Sequence, residues 1–181
     1  MKNFSIKTLV AIGIGAAIFA VLARYVSIPT PIPSTTLTIQ YAILALFALL
    51  YGPWAGLLIG FIGHTVSDMM GGSPWWSWIA ASAVAGLLMG LLMQKIDIEN
   101  GEFGKGEIIK FNVAQVIANA VAWLLIAPIF DVLIYAEPAL KVFVQGIGAF
   151  VGNAVMTGIV GTLLAVAYAK SRTKKGSLDK E

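Results

Sequence analysis

Five or six stretches of this 181-residue chain are long and strongly apolar, and its charged residues lie almost entirely between them. Hydrophobic residues make up 59% of the sequence and charged residues only 12%, whereas a soluble domain carries about 25% charged residues. A chain this apolar requires lipid as its solvent, where helices satisfy their own backbone hydrogen bonds. The sequence therefore predicts an all-α, polytopic membrane protein with a single integral membrane domain over residues 1–181.

Hydropathy and chain breakers predict a bundle of six transmembrane helices. The second helix is shorter than the ~20 residues that a bilayer core requires, so we expect it to be tilted or incomplete. Proline cannot continue a helix, and the run Tyr51-Gly52-Pro53 is therefore predicted to separate the second helix from the third. The segment 96–106 is polar and rich in glycine, which is typical of a solvated connection. The predicted helices cover residues 6–26, 38–50, 54–70, 76–94, 108–130 and 140–169.

The positions of the basic residues predict the orientation of this bundle. With six spans, ten of the twelve Lys and Arg residues fall on one side, and only Arg24 and Lys141 fall on the other. The positive-inside rule then predicts a multi-pass protein of the cell membrane with both termini in the cytoplasm. In a rival interpretation, Lys2, Lys7 and the apolar run after them form a cleavable signal peptide, which leaves five spans. The ten residues are Lys2, Lys7, Lys95, Lys105, Lys110, Lys170, Arg172, Lys174, Lys175 and Lys180.

Several functional classes are excluded by what the sequence lacks. The chain has no cysteine, which excludes disulfides and thiol chemistry. The phosphate-binding pattern G-x-x-x-x-G-K-[ST] is absent, so ATP-driven work needs another subunit. The basic residues flank apolar stretches and form no patch, which argues against nucleic acid as a partner. His64 and Asp68 are too few ligands for a zinc site, so no metal or cofactor is expected.

Small residues four positions apart recur along the first predicted helix. Such pairs let helix backbones approach closely in lipid, where close packing drives helix association. Two interpretations stay open at this point, namely packing inside the bundle and a docking face for a partner membrane protein. The pairs are Ala11 and Gly15, Gly13 and Ala17, and Ala16 and Ala20, and the last helix has a similar pair in Gly148 and Gly152.

Polar side chains within the predicted spans form stripes on single helix faces. Each such side chain is costly in a membrane unless it has a partner. Hydrogen bonds that hold the helices together are one explanation, and a polar cavity for a solute is the other. We favour the cavity because the stripes coincide with aromatic residues near the outer ends of the helices. The stripes consist of His64 and Asp68, of Asn112, Gln115, Asn119 and Trp123, and of Gln145 and Asn153.

Three tryptophans, Trp75, Trp76 and Trp78, lie within four residues at the outer end of the fourth predicted helix. Tryptophan is common at the membrane interface, which is the simplest explanation for any one of them. Three such rings point around most of the helix, so at least one is expected to face inward. A flat apolar ring beside polar side chains suits a small planar heteroaromatic ligand.

Two outer connections complete the predicted site. The outer loop 27–34 is stiffened by three prolines and leads into the run 35–41, and this segment is interpreted either as a lid or as a plain connection. Asp131, Tyr135 and Glu137 are predicted to lie in a solvated outer loop between the last two helices. Asp68 is expected to orient His64 towards a ligand; a metal pair or a proton relay are the other interpretations of these two residues.

Over essentially its whole length, the chain resembles the substrate-binding S components of energy-coupling factor (ECF) vitamin transporters. More narrowly, it resembles the S components assigned to hydroxymethylpyrimidine or pyridoxine. The resemblance implies a six-helix fold that works with one membrane coupling subunit and two cytosolic ATPases. It also implies that an A-x-x-x-A face on the first helix, here Ala16 and Ala20, meets the coupling subunit. The residues that carry the resemblance are the runs 27–33, 60–64 and 134–138, the run Tyr51-Gly52-Pro53, and most specifically Gly72-Ser73-Pro74-Trp75-Trp76-Ser77-Trp78.

We therefore hypothesise that the chain captures a small planar vitamin or precursor at its outer face and is not an enzyme. Release would require the chain to reorient against a partner that hydrolyses ATP. The alternatives are a solo carrier or channel, and a membrane-embedded enzyme with His64 and Asp68 as an acid–base pair. Lys141 is expected to meet a polar or anionic substituent of the ligand. The predicted ligand contacts are His64, Asp68, Trp75, Trp78, Asn119, Trp123, Gln145 and Lys141.

Overall fold

The computed structural model describes residues 5–33 and 35–172, which form six helices and one short hairpin. Three of the helices, α1, α5 and α6, are long and apolar enough to cross a membrane, and the shorter α2 and α4 are also apolar. The predicted Lys2, Lys174, Lys175 and Lys180 lie outside the described residues. The helices are α1 (Ile6–Tyr25), α2 (Gln40–Tyr51), α3 (Pro53–Gly71), α4 (Trp76–Leu92), α5 (Lys105–Tyr135) and α6 (Ala139–Lys170).

Five of these helices begin and end within two residues of their predicted limits, and α5 is the exception. The break between α2 and α3 lies where the sequence predicted it. Gly52 has a φ of 90°, a conformation that favours glycine, and Pro53 occupies the first turn of α3, where its missing N–H costs nothing. Helix α2 contains only 12 residues and is thus shorter than a full span.

The connection between α1 and α2 is a small antiparallel hairpin, which the sequence did not predict. Strand β1 (Ser27–Pro29) pairs with β2 (Thr36–Thr38), with Ser27 opposite Thr38. The Thr30 hydroxyl donates to the Thr35 carbonyl at 2.8 Å and ties the two strands together beyond the ladder. The hairpin lies against α6, where a Cβ added to Gly148 would meet Ile32 and one added to Gly152 would meet Leu37. The hairpin therefore packs against this pair of glycines on α6.

Helices α3 and α4 pack backbone against backbone. A Cβ added to Gly56 would overlap the carbonyl group of Gly86, and one added to Gly86 would overlap that of Gly56. A Cβ added to Gly60 would likewise overlap the carbonyl group of Ser82. Only small residues permit this approach, which maximises van der Waals contact where lipid supplies no hydrophobic drive.

Helix α5 is longer than predicted at both ends, and it contains a π-helical segment, Val121–Ile126, just before Pro128. The N–H of Ala127 bonds to the carbonyl of Ala122, five residues back, and Pro128 follows without an N–H to donate. The helix then continues to Tyr135. The prediction that Asp131 and Tyr135 lie in a solvated loop is therefore wrong. Asp131 is inside the helix and only 2% exposed.

The two ends of the bundle differ. At the end that holds the connection between α4 and α5, the closed end, large apolar side chains fill the interior. There the predicted solvated loop is only partly solvated, since Asp97 and Glu99 are exposed whereas Ile96 and Ile98 are buried. At the other end, the cavity end, lie the hairpin and the connections that follow α3 and α5. The buried core residues of the closed end include Met89, Met93, Ile96, Ile98 and Phe111.

Candidate binding site

A cavity of about 310 Å³ opens at the cavity end, between α3, α4, α5 and α6. Six of the eight predicted ligand contacts line it, drawn from three separate stretches of the chain. Two acidic residues that the sequence placed in a solvated loop, Asp131 and Glu137, line it as well. The six are His64, Asp68, Trp75, Trp78, Lys141 and Gln145.

The buried carboxylate of Asp131 fixes the tryptophan segment. The indole N–H of Trp75 donates to Asp131 Oδ1 at 2.6 Å, and that of Trp78 donates to Oδ2 at 2.9 Å. The hydroxyl of Ser77 donates to the same carboxylate. Trp75 also stacks on Tyr135, with 4.1 Å between the ring centroids. Two rings from one segment are thus held in defined positions at the cavity wall.

A sequence signal for Asp131 did exist. Buried indole N–H groups need acceptors, and two tryptophans predicted to face a cavity imply an acceptor nearby. Asp131 lies on the helix whose polar stripe was recognised, and only the assumed helix end at Phe130 excluded it.

His64 takes part in a chain of polar contacts across the bundle. Its Nδ1 lies 2.5 Å from the Ser82 hydroxyl, which lies 2.7 Å from the hydroxyl of Tyr41. Its Nε2 lies 3.5 Å from Asp68 Oδ1, and Asp68 Oδ2 accepts the backbone N–H of Trp75 at 2.9 Å. The pair thus has the proximity that the sequence predicted, and Asp68 also anchors the start of the tryptophan segment.

Below the hairpin, a second chamber of about 190 Å³ adjoins the first and shares His64, Asp68 and Trp78 with it. Trp123 lines this chamber, edge-on to both Trp78 and Tyr41 at centroid distances of 5.3 and 5.4 Å. The rest of its wall is largely polar and includes Thr35, Thr36, Thr38, Gln40, Ser67 and Asn153.

The polar stripe on α5 divides into two functions. Asn112 donates to the Thr162 hydroxyl at 2.9 Å and Gln115 to the Ala154 carbonyl at 3.1 Å, so both join α5 to α6. Asn119 lines neither cavity, contrary to the predicted ligand contact. Its Oδ1 accepts a hydrogen bond from the indole N–H of Trp123 at 3.2 Å, so Asn119 fixes the position of that ring.

Lys141 and Gln145 already have protein partners. The Lys141 ammonium lies 2.7 Å from Glu137 Oε2, four residues earlier. The amide N–H of Gln145 donates to the carbonyl of Pro33 at 2.9 Å, which fastens the hairpin to α6. Lys141 was predicted to meet a polar or anionic substituent of the ligand, and such a substituent would have to share its ammonium with Glu137.

The small residues of α1 divide between two faces. Ala16 and Ala20, which the resemblance implied as the docking face, are 4% and 2% exposed and lie inside the bundle. The alternative pair, Gly13 and Ala17, lies on the exposed face beside Ile14. A Cβ added to Gly13 would meet nothing within 4 Å.

Apolar helices around a polar, aromatic cavity define this molecule as a multi-pass membrane protein of the solute-binding class. Residues 3–170 match the family model described as "ECF-type riboflavin transporter, S component". The chain therefore belongs to the family of ECF-type transporter S components. Members of this family are transport subunits that pair with a membrane coupling subunit and ATPases, and they are not enzymes.

The relatives and structural neighbours agree with this family. The chain is 52% identical over 181 residues to a UPF0397 protein of Lactobacillus helveticus (strain DPC 4571), covering 99% of this chain and 98% of the relative. Its fold is similar to FolT bound with folic acid, with a TM-score of 0.64 at 13% identity, covering 95% of this chain and 98% of FolT. It is also similar to the S component for biotin from an ECF-type ABC transporter, with a TM-score of 0.63 at 18% identity and 93% of both chains covered.

Proposed function

We propose that this chain is the substrate-capture subunit of an ATP-driven ECF importer for a small planar vitamin or precursor of the pyridoxine or hydroxymethylpyrimidine type. The observation that carries the proposal is the cavity that Trp75, Trp78, Asp68 and Asp131 line together. Indole faces supply stacking area for a heteroaromatic ring, and carboxylates orient its substituents.

The size of the cavity supports a ligand with one ring. Small-molecule sites range from about 300 to 1,000 Å³, and about 310 Å³ lies at the lower limit. Riboflavin, which the description of the matched family names, has three fused rings and a polyhydroxylated chain. Folic acid, bound in the FolT structure, is also larger than a single ring. Riboflavin and folic acid are therefore titrated as comparison ligands in the binding test.

We further propose that the cavity faces the exterior and that both termini lie in the cytoplasm. Six of the described basic residues lie at the closed end, whereas Arg24 and Lys141 lie at the cavity end. The positive-inside rule favours a cytoplasmic closed end. Since the chain has no cysteine, single cysteines report the orientation directly. With an impermeant maleimide on intact cells, we expect labelling of Ser73→Cys but not of Glu102→Cys.

The proposed partners are a membrane coupling subunit and two cytosolic ATPases, with α1 as the docking helix. Ala16 and Ala20 were the predicted contacts, and the exposed pair Gly13 and Ala17 now offers the open face of the same helix. Co-purification should be lost in Gly13→Leu if this exposed face docks, and in Ala16→Leu if the buried face opens to dock. A solo carrier or channel would instead transport in liposomes that contain this chain alone.

The binding test uses the purified full chain in lipid nanodiscs and isothermal titration calorimetry. Pyridoxine, hydroxymethylpyrimidine, riboflavin, folic acid and biotin are titrated separately. We expect pyridoxine or hydroxymethylpyrimidine to bind with a Kd of about 1 μM or tighter, which corresponds to about 8 kcal/mol. Weaker binding of all five compounds would refute capture of this class of vitamin, and preferential riboflavin binding would replace the proposed substrate.

A further inference from the structure

Each nitrogen donor that lines the cavity of about 310 Å³ already has at least one partner in the protein. The single indole hydrogens of Trp75 and Trp78 both go to Asp131. Gln145 donates to Pro33, and Lys141 donates to Glu137. His64 has Ser82 at one ring nitrogen and Asp68 at the other. Every side-chain nitrogen that lines this cavity therefore has a partner within residues 5–33 and 35–172, and the N–H groups left over are two on Lys141 and one on Gln145.

The acceptors, by contrast, have capacity left. An ionised carboxylate accepts about four hydrogen bonds. Asp131 receives three, Asp68 receives one beside its contact with His64, and Glu137 receives one from Lys141. The wall thus has more free acceptor positions than free side-chain N–H donors, which remain only on Lys141 and Gln145.

The charged residues that line the cavity are also mostly acidic. Three carboxylates, Asp68, Asp131 and Glu137, line the cavity together with one ammonium, that of Lys141. Because Lys141 pairs with Glu137, neither Asp68 nor Asp131 has a lysine or arginine partner in the described part of the chain. A buried carboxylate without a cation is costly, and a ligand that brings positive charge relieves that cost.

The adjoining chamber also contains an acceptor without a partner. Gln40 lines it and is 7% exposed, and its side-chain oxygen is buried without a hydrogen-bond partner. An unsatisfied buried acceptor costs about 1–3 kcal/mol, which a donor on the ligand would recover. The adjoining chamber therefore holds at least one buried acceptor that a donor on the ligand would satisfy.

From this imbalance we infer that the site selects ligands that bring hydrogen-bond donors or a positive charge, rejects phosphorylated and carboxylated forms, and uses Asp131 as a specificity-determining residue. The inference rests on the proposed function and narrows its substrate class to neutral or cationic heteroaromatics with amino or hydroxyl groups. Charge-assisted hydrogen bonds are roughly twice as strong as neutral ones, so an ammonium near Asp131 gains most. A phosphate dianion in the same place meets carboxylates and no free ammonium.

The test compares ligands that share one ring. Pyridoxine, pyridoxamine with its aminomethyl cation, and pyridoxine 5′-phosphate are titrated into the full chain, with hydroxymethylpyrimidine and its phosphate as a second pair. We expect pyridoxamine to bind about tenfold tighter than pyridoxine, and each phosphate ester about tenfold weaker or worse than its parent. Equal or tighter binding of the phosphates would overturn the inference and leave capture intact. No binding by any member would refute the proposed function, and the inference with it.

Two variants separate specificity from structure. Asp131→Asn should reduce the preference for pyridoxamine over the phosphate by about tenfold, whereas a purely structural role would weaken all ligands equally. Glu137→Gln frees Lys141 and should improve phosphate binding, a gain that misfolding cannot produce. Asp97→Asn, exposed at the closed end, is the matched control and should leave all ratios unchanged. Unchanged ratios in both cavity variants would contradict the assignment.

Discussion

The closed end and the cavity end of this bundle are built from different side chains. At the closed end, Met93, Ile98 and Phe111 are buried, and Phe103 meets Phe111 edge-on at 6.0 Å between ring centroids. At the cavity end, three carboxylates, an imidazole and four aromatic rings surround open space. Apolar side chains fill the interior of the closed end, and its two clefts of about 400 Å³ open between connecting segments, whereas the cavity end buries an acceptor, the side-chain oxygen of Gln40, without a partner in the described residues. This difference indicates that the cavity end is shaped for a ligand.

The largest expected effect is at Trp123, which packs beneath the cavity. Trp123→Ala removes a ring that is 1% exposed and should lower the free energy of unfolding by about 3–5 kcal/mol. Trp54→Ala, 46% exposed at the start of α3, is the control and should cost far less. Thermal unfolding in detergent measures both. Equal losses would show that the cavity end is not packed around this ring.

The next effect is at Gly86, on the seam between α3 and α4. Gly86→Ala places a methyl group against the backbone of Gly56, so we expect a loss of about 1–3 kcal/mol from overpacking. Gly13→Ala adds the same group on an exposed helix face and should not destabilise, since alanine is the better helix former. The two midpoints of thermal unfolding are compared directly. A Gly86→Ala midpoint at or above that of Gly13→Ala would contradict the backbone contact.

A smaller effect is expected where the hairpin is fastened to α6. Gln145→Ala removes the bond to the Pro33 carbonyl, which is worth about 1 kcal/mol, or roughly a fivefold change in an equilibrium constant. We expect faster ligand release, measured by stopped-flow displacement. Gln94→Ala, exposed beyond α4 at the closed end, is the control. An unchanged release rate in Gln145→Ala would show that the hairpin is not held by this bond.

The smallest effect is expected at the exposed pair of Lys110 and Glu107, whose charged atoms lie 3.8 Å apart at the closed end. Surface pairs of this kind contribute about 0–1 kcal/mol. Lys110→Gln should therefore move the unfolding midpoint by an amount close to the measurement error. A large shift would show that charge, and not apolar packing, stabilises this end.

The helices could be predicted from the sequence because hydropathy over some twenty residues is a strong signal and Pro53 marks a break that no helix can cross. The end of α5 could not, because the charged side chain of Asp131 was interpreted as part of a solvated loop, whereas the helix buries it and continues to Tyr135. That single error removed Asp131 from the predicted site. The hairpin was missed because its strands have three residues each, β1 ends at Pro29, and Pro31 and Pro33 lie between the strands.

Within the site, composition predicted which residues gather but not what each one touches. His64 and Asp68 lie four apart on a helix, so their proximity follows from periodicity alone. The pairing of Lys141 with Glu137 depends on the turn between α5 and α6, and the bond from Gln145 to Pro33 joins segments 112 residues apart. The burial of Ala16 and Ala20 likewise depends on which face of α1 meets α3, which a repeated small-residue pattern leaves open.

The carboxylate shared by Trp75 and Trp78 has an optical consequence. Both chromophores are bonded to one group, so a solute that competes for Asp131 disturbs two emitters in a single event. Ligand binding should therefore change the wavelength and the intensity of the tryptophan fluorescence together. In Trp75→Phe or Trp78→Phe only one of the two indoles remains, and its fluorescence would show which ring responds first to the ligand.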